Sequence, residues 1–153
     1  MSTDLEITIG KFTFRVPTDR YYSEGGVWAF WMQPQGKNRI RVGLTDYLQQ
    51  HSGDVAFVTA KPAGTKLTAG DDFADVETMK TMLALPSPVN GTVVEINSEL
   101  EGHPELVNRD PYGKGWIAEI ETSGWEADCT KLLNPQTYLS AVKSLAEKEL
   151  RES

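Results

Sequence analysis

A lysine between two strand-like segments is the feature of this sequence most able to do chemistry. Residues 76–82 read Val-Glu-Thr-Met-Lys-Thr-Met, which places Lys80 at the expected tip of a hairpin. Such a turn pins both flanks and projects the long lysine stem into water, where a modifying enzyme can reach the amine. Amide formation would then remove the charge. The segment predicts a cofactor anchor, although by pattern alone most exposed turn lysines are merely solvated.

Short strands surround this lysine and must position it. A helix capped by Thr45 or Asp46 should run to His51 and end at Gly53. Residues 34–38 form an expected turn. Alternating or β-branched and aromatic runs predict strands over 12–16, 27–31, 39–42, 55–58, 73–77, 82–85, 91–96 and 116–120. Lys80 therefore lies between the strands 73–77 and 82–85.

The end of the chain changes to a helical pattern. Asn134 followed by Pro135 is a strong helix start, and Tyr138, Val142, Leu145 and Ala146 recur on one face. We expect a C-terminal helix over about 135–151 that covers core edges; a partner-docking role is the alternative. The 153 residues suit one domain, 1–153, with a core of about 12–122.

Composition narrows the class of function. The net charge is −7, from 22 acidic and 15 basic residues, which disfavours nucleic acid or an anionic membrane as a partner. No segment approaches the roughly 20 apolar residues of a membrane helix, and residues 1–10 show no secretory pattern. We therefore expect a cytoplasmic protein. No nucleophile–base pair or phosphate loop is visible, so we do not expect an enzyme.

The sequence contains few thiol or imidazole groups. Cys129 is the single cysteine, which excludes an internal disulfide, and together with His51 and His103 it cannot complete a structural zinc site. Cys129 could take part in thiol redox chemistry, but a lone cysteine is more often a small packed residue. Both histidines are expected to be solvated. We predict no metal site and no catalytic residue.

Four motifs in the same order resemble the glycine-cleavage H protein family of lipoyl carriers. They cover roughly residues 12–140, and Thr78 stands in place of the usual serine of the attachment site. The motifs are Val42-Gly43-Leu44-Thr45-Asp46-Tyr47, Val76-Glu77-Thr78-Met79-Lys80, Pro86-Ser87-Pro88-Val89-Asn90-Gly91, and Pro104 to Asn108 with Asp110 to Trp116.

This resemblance implies both a fold and a cofactor. The expected fold is mainly β, a barrel-sandwich hybrid like a lipoyl domain, with short flanking helices and the C-terminal helix. Lipoic acid would be attached covalently to Lys80 as N6-lipoyl-lysine, with Glu77 and Thr78 as candidates for recognition by a lipoate-protein ligase. Further expected partners are the glycine cleavage enzymes, including the decarboxylase, the aminomethyltransferase and dihydrolipoamide dehydrogenase.

The sequence departs from the family at two places. The usual His-Glu/Asp-Trp of an early strand is replaced within residues 24–28, where only Trp28 remains, and Thr81 replaces the alanine that usually follows the lysine. Some H-like lipoate-binding proteins serve a heterodisulfide-reductase-like complex in sulfur oxidation. These departures lead us to favour that lineage, a shuttle of sulfur-bound groups and electrons, with glycine cleavage as the alternative.

Two other classes of protein, biotin carriers and unmodified binding modules, also fit parts of the sequence. Biotin carriers place their lysine in Ala/Thr-Met-Lys-Met on a similar hairpin, and Thr78-Met79-Lys80 fits this pattern, but Thr81 replaces the second methionine. An unmodified binding module could also keep the fold after losing the cofactor. The changes at Thr78 and Thr81 are the reason to consider it.

Overall fold

A computed structural model describes residues 4–33 and 36–152. Pro34 and Gln35 of the expected turn 34–38 lie outside this range. The strands are β1 (Asp4–Ile9), β2 (Phe12–Pro17), β3 (Tyr21–Tyr22), β4 (Val27–Met32), β5 (Arg39–Leu44), β6 (Val55–Ala60), β7 (Lys66–Leu67), β8 (Asp72–Thr78), β9 (Met82–Pro86), β10 (Gly91–Ile96) and β11 (Ala118–Glu121). The helices are α1 (Asp46–Ser52), α2 (Glu99–Gly102), α3 (Leu106–Arg109), α4 (Trp125–Asp128) and α5 (Pro135–Glu152), with a 3₁₀ turn Cys129–Lys131 after α4.

The strands of the described residues form three antiparallel sheets. One has the order β3-β4-β5-β11-β10-β7, a second has β6-β8-β9, and β1 pairs with β2 in a separate hairpin. Strands account for 39% and helices for 28%, so the protein is mainly β. The predicted class, a barrel-sandwich hybrid with short flanking helices and a C-terminal helix, is confirmed.

The two larger sheets share one apolar core. Inward side chains of the six-stranded sheet, such as Ile40 and Val42, pack in one cluster with Phe73 and Val76 of β8, and all four are fully buried. Alternation along β8 turns Asp75 outward between Ala74 and Val76. This core fixes the strand that leads to Lys80.

A second core joins β1, β2 and α5. Phe14 and Val16 of β2 belong to the same buried cluster as Val142 and Ala146 of α5, and the ring of Tyr138 stacks on Tyr22 with centroids 4.6 Å apart. Strand β1 was not predicted from the sequence. Leu145 was predicted to lie on the apolar face of α5, and this prediction is wrong: the side chain is 43% exposed, so the apolar stripe of α5 is narrower than predicted.

Helix α1 lies between this second core and the lysine hairpin. Its cap is Thr45, whose side-chain oxygen accepts a hydrogen bond from Leu48 N at 3.2 Å. The helix ends at Gly53, with φ of 90°, a backbone conformation that favours glycine. The predicted cap and stop are thus confirmed. The chain then passes to Asp54, whose carbonyl accepts a hydrogen bond from Met79 N at 3.0 Å, which ties the helix end to the hairpin.

The C-terminal helix begins as predicted. Thr137 N donates to the Asn134 side chain at 2.8 Å, and Pro135 is the first helical residue. Within residues 4–33 and 36–152, no helix is both long and apolar enough to cross a membrane.

Candidate functional site

Lys80 lies at the tip of the β8–β9 hairpin. The strands pair up to Glu77 and Met82, and the residues between them form the turn. Lys80 is exposed, as are Met79 and Met82 on either side. The structure therefore presents the amine on a projecting turn whose two strands are held in the core, which is the arrangement that a modified lysine requires.

The hydroxyl of Thr78 organises this turn. Its oxygen accepts hydrogen bonds from Lys80 N at 3.2 Å and Thr81 N at 3.0 Å, and the hydroxyl donates to Thr81 O at 3.1 Å. The backbone N–H of Thr78 donates to the same carbonyl at 2.8 Å. Because Thr78 is 6% exposed, its hydroxyl shapes the turn from inside. A serine would supply the same oxygen.

The side chain of Lys80 leans toward α1. Its Nζ donates to the carbonyl of His51 at 2.8 Å. The stem passes over Gly53, where a methyl group would lie 3.5 Å from Lys80 Cε. The last carbonyls of a helix carry partial negative charge, so a donor is favourable there. His51 was predicted only to be solvated, and its contact with Lys80 was not predicted from the sequence.

A cavity of about 180 Å³ lies beside Lys80. It is bounded by β2, α1, the lysine and the end of α5; we call it the Lys80 cavity. Its lining residues are Phe12, Phe14, Tyr47, Gln50, His51, Lys80 and Glu149. This group could not be predicted from the sequence, because its members come from four distant segments and no spacing pattern links them.

Glu149 joins two walls of the Lys80 cavity. Its Oε1 accepts a short hydrogen bond from the Tyr47 hydroxyl and lies 2.9 Å from His51 Nδ1. Burial raises the pKa of Tyr47, and the hydrogen bond to Glu149 raises it further. A tyrosine hydroxyl keeps its proton at neutral pH in any case, and the raised pKa of Tyr47 extends this range to more alkaline solution. These contacts hold the end of α5 against α1.

The outer face of the three-stranded sheet carries two exposed apolar side chains near the lysine. Phe57 of β6 and Met82 of β9 both pair with Glu77 of β8, so the three side chains form a row across the sheet. Phe57 is 65% and Met82 61% exposed, and Glu77 is half-buried between them. Glu77 can thus be touched by a visiting enzyme, whereas Thr78 cannot be reached directly. Recognition of either residue by a ligase stays a prediction.

The remaining candidates lie outside this site. Cys129 is half-buried in the 3₁₀ turn after α4, with Sγ 3.5 Å from Glu126 O, and it does not line the Lys80 cavity. His103 is exposed and pairs with Glu105 at 3.2 Å. Among the described side chains, no group of three or more His, Cys, Asp or Glu is arranged to hold a metal ion.

Comparison with known proteins gives consistent sequence matches. The family model "Glycine cleavage H-protein" matches residues 20–145. A glycine cleavage system H protein of Mycobacterium avium (strain 104) is 40% identical over 126 residues, which cover 80% of this chain and 93% of the relative. One from Mycolicibacterium vanbaalenii is 43% identical over 114 residues, 73% of this chain and 87% of the relative.

A solved structure has the same fold. The crystal structure of a glycine cleavage system H protein from Mycobacterium marinum superposes with a TM-score of 0.72 and 29% identity, covering 82% of this chain and 97% of the other. The family match begins at residue 20, after β2, and ends at residue 145, within α5. Phe12, Phe14 and Glu149 of the Lys80 cavity therefore lie outside the matched range.

Proposed function

Because the chain belongs to the glycine cleavage H-protein family, we propose that it carries lipoate covalently on Lys80. Members of this family are carriers without catalytic activity of their own and hold lipoate on a lysine. The protein is accordingly a carrier and not an enzyme. The observation that supports Lys80 as the attachment site is its exposed position at the tip of a hairpin anchored in the core.

The residues around Lys80 fit an amide-linked group. An amide nitrogen keeps one hydrogen, so it can still donate to the His51 carbonyl that Nζ contacts at 2.8 Å. Amide formation removes the positive charge without leaving a buried carboxylate unpaired, since the present partner is a backbone carbonyl. When bound, a lipoyl group supplies a dithiolane that takes up two electrons and opens to a dithiol. The turn built by Thr78 supplies a fixed starting point for this tether.

For the pathway we propose glycine cleavage. The two relatives described above and the solved structure are all named as glycine cleavage system H proteins. They favour this pathway over the sulfur-oxidation role that the sequence departures led us to prefer. The corresponding partners are a glycine decarboxylase, an aminomethyltransferase, dihydrolipoamide dehydrogenase and the lipoate-protein ligase. Cytoplasmic location is likewise a proposal.

A role beside a heterodisulfide-reductase-like complex is the second candidate, and one observation favours it. At the early-strand position where the family usually has an acid, this chain has Val27, which is fully buried. The preceding Gly26 has φ of 91°, and a methyl group there would lie 3.0 Å from Leu48 Cβ. The early strand therefore offers no carboxylate at this point. Supplying the purified lipoyl protein to each complex in turn separates the two pathways: the true partner loads or reduces it.

Intact-protein mass spectrometry tests the attachment site. Protein made with lipoate and a lipoate ligase should gain one lipoyl group, and Lys80→Arg should gain none. Lys61→Arg is the matched control, because Lys61 is also exposed and follows a strand, and it should be modified normally. An addition that persists in Lys80→Arg would refute the assignment. A biotinyl addition, or native protein that functions unmodified after Lys80→Ala, would favour the other two classes.

A further inference from the structure

Two exposed methionines flank the lysine turn. The sequence contains four methionines. Met79 is 79% and Met82 61% exposed, whereas Met32 is half-buried in β4, and Met1 lies outside the described residues. Met79 directly precedes Lys80, and Met82 follows it by two positions. The most exposed methionines of the described residues therefore lie on both sides of the amine that is to be modified.

These methionines belong to an apolar surface. The described residues include nine exposed large apolar side chains, and three of them, Phe57, Met79 and Met82, lie at or beside the lysine turn. We call these three side chains the lysine-turn surface. Neighbouring apolar side chains left in water are typical of a surface that another protein covers. An enzyme that attaches lipoate to Lys80 must approach this surface, because the amine lies at the tip of the same turn.

The methionine sulfur is the part of this surface that an oxidant can change. A sulfur lone pair attacks one oxygen of hydrogen peroxide, so that an S–O bond forms as the O–O bond breaks. The proton of the attacked oxygen passes to the other oxygen, which leaves as water. Sulfur loses two electrons, and the sulfoxide is polar where the thioether was apolar. Methionine sulfoxide reductases reverse the change with two thiols, which become a disulfide while the oxygen leaves as water.

The fold holds the backbone at both methionines without using their sulfurs. Met79 N donates to the Asp54 carbonyl at 3.0 Å, and Met82 pairs with Glu77 at the start of β9. Because both side chains are exposed, an added oxygen stays in water and should leave the stability unchanged, as a surface substitution does. Oxidation would therefore alter the surface around the lysine and leave the turn intact.

We propose that hydrogen peroxide oxidises Met79 and Met82 reversibly, and that the two sulfoxides slow the attachment of lipoate to Lys80 by making the lysine-turn surface polar. The effect on attachment rests on the proposed lipoylation, whereas the oxidation does not. A ligase that covers the oxidised surface must remove water from the sulfoxide oxygens, which is unfavourable. We expect its kcat/KM to fall about tenfold, which corresponds to about 1.4 kcal/mol.

The test uses the full-length protein before lipoylation. The protein is treated with hydrogen peroxide, the peroxide is removed with catalase, and lipoate, ATP and the ligase are then added. Peptide mapping by mass spectrometry should locate one added oxygen on Met79 and one on Met82 before any on Met32. The rate of lipoylation should fall by about tenfold, methionine sulfoxide reductases should restore it, and urea unfolding should be unchanged.

Two variants and one reductant separate this effect from other oxidation. Met79→Leu combined with Met82→Leu keeps apolar side chains that peroxide does not oxidise, so its rate should be the same before and after treatment, whatever that rate is. Met32→Leu is the matched control, because it keeps both turn methionines and should show the same decrease as the unsubstituted protein. Dithiothreitol reduces sulfenic acids and disulfides. It should not restore the rate by itself, which would exclude oxidation of Cys129 as the cause.

Three results would overturn the proposal: preferential oxidation of Met32, an unchanged rate of lipoylation when both turn methionines are fully oxidised, or the same decrease in the double leucine variant. A failure of the proposed function gives a different result, because untreated protein would then take up no lipoyl group at all. The effect on attachment would fall with it, while the peptide map would still show whether Met79 and Met82 are the oxidised residues.

Discussion

Removing the hydroxyl of Thr78 tests whether the lysine turn depends on this one buried side chain. Thr78→Val keeps the shape and β-branching but removes the oxygen that accepts from Lys80 N and Thr81 N and donates to Thr81 O. Each hydrogen bond contributes about 0.5–1.5 kcal/mol net. The two turn N–H groups can regain water in this exposed loop. We therefore expect a total loss of about 2 kcal/mol in the free energy of unfolding.

The assay combines stability with modification. Urea unfolding of Thr78→Val should show this loss, and the melting temperature should fall by roughly 6 °C for a chain of this size. If the ligase must bind the formed turn, its kcat/KM for the variant should fall by up to about 30-fold, the equivalent of 2 kcal/mol. Thr78→Ser restores the oxygen and removes one buried methyl group, so it should lose only about 0.8 kcal/mol relative to the unsubstituted protein.

Comparing Thr78→Val with Thr78→Ser shows whether the hydroxyl organises the lysine turn. If Thr78→Val keeps the stability and the rate of lipoylation of the unsubstituted protein, the hydroxyl does not organise the turn. If valine lowers stability but leaves lipoylation unchanged, the ligase does not require the preformed turn. An equally large loss in serine, which keeps the oxygen and lacks the methyl group, would show that the methyl group stabilises the turn as much as the oxygen does.

Two further predictions concern the scaffold. Burial raises the pKa of Tyr22 and Tyr112, and it raises the pKa of Tyr138 to about 12. The unfolded chain releases these protons near pH 10, whereas the folded protein retains them. The free energy of unfolding should therefore keep its full value below pH 10 and fall by roughly 4 kcal/mol per pH unit between 10 and 12. Urea titrations across this range, with tyrosinate absorbance as a second signal, check the slope, and a flat profile to pH 12 would contradict it. Glu119 is 3% exposed and accepts from Arg41 at 2.6 Å, so Glu119→Gln should cost about 2 kcal/mol, less than for a fully buried pair because the arginine is partly solvated. A change below 0.5 kcal/mol, on the order of a neutral surface substitution, would show that the pair contributes little.

Local signals predicted the elements that carry the anchor. The cap at Thr45, the stop at Gly53 and the start at Asn134 depend on neighbours within a few residues, so they are visible in the chain itself. Short strand-like runs likewise located β8 and β9 on either side of Lys80. The strand β1 was missed. The assignment of residues 1–153 to one domain stays a prediction.

Long-range packing decided the rest. The sequence determined that a lysine stands in a turn between two strands, because turn chemistry and strand periodicity act over a few residues. Only the tertiary structure showed that Phe12, His51 and Glu149, from three distant segments, meet beside Lys80. It also showed that Thr78 faces inward and that Leu145 faces outward. The order of residues in the sequence does not predict these long-range contacts, because they form when separate apolar faces are buried against one another.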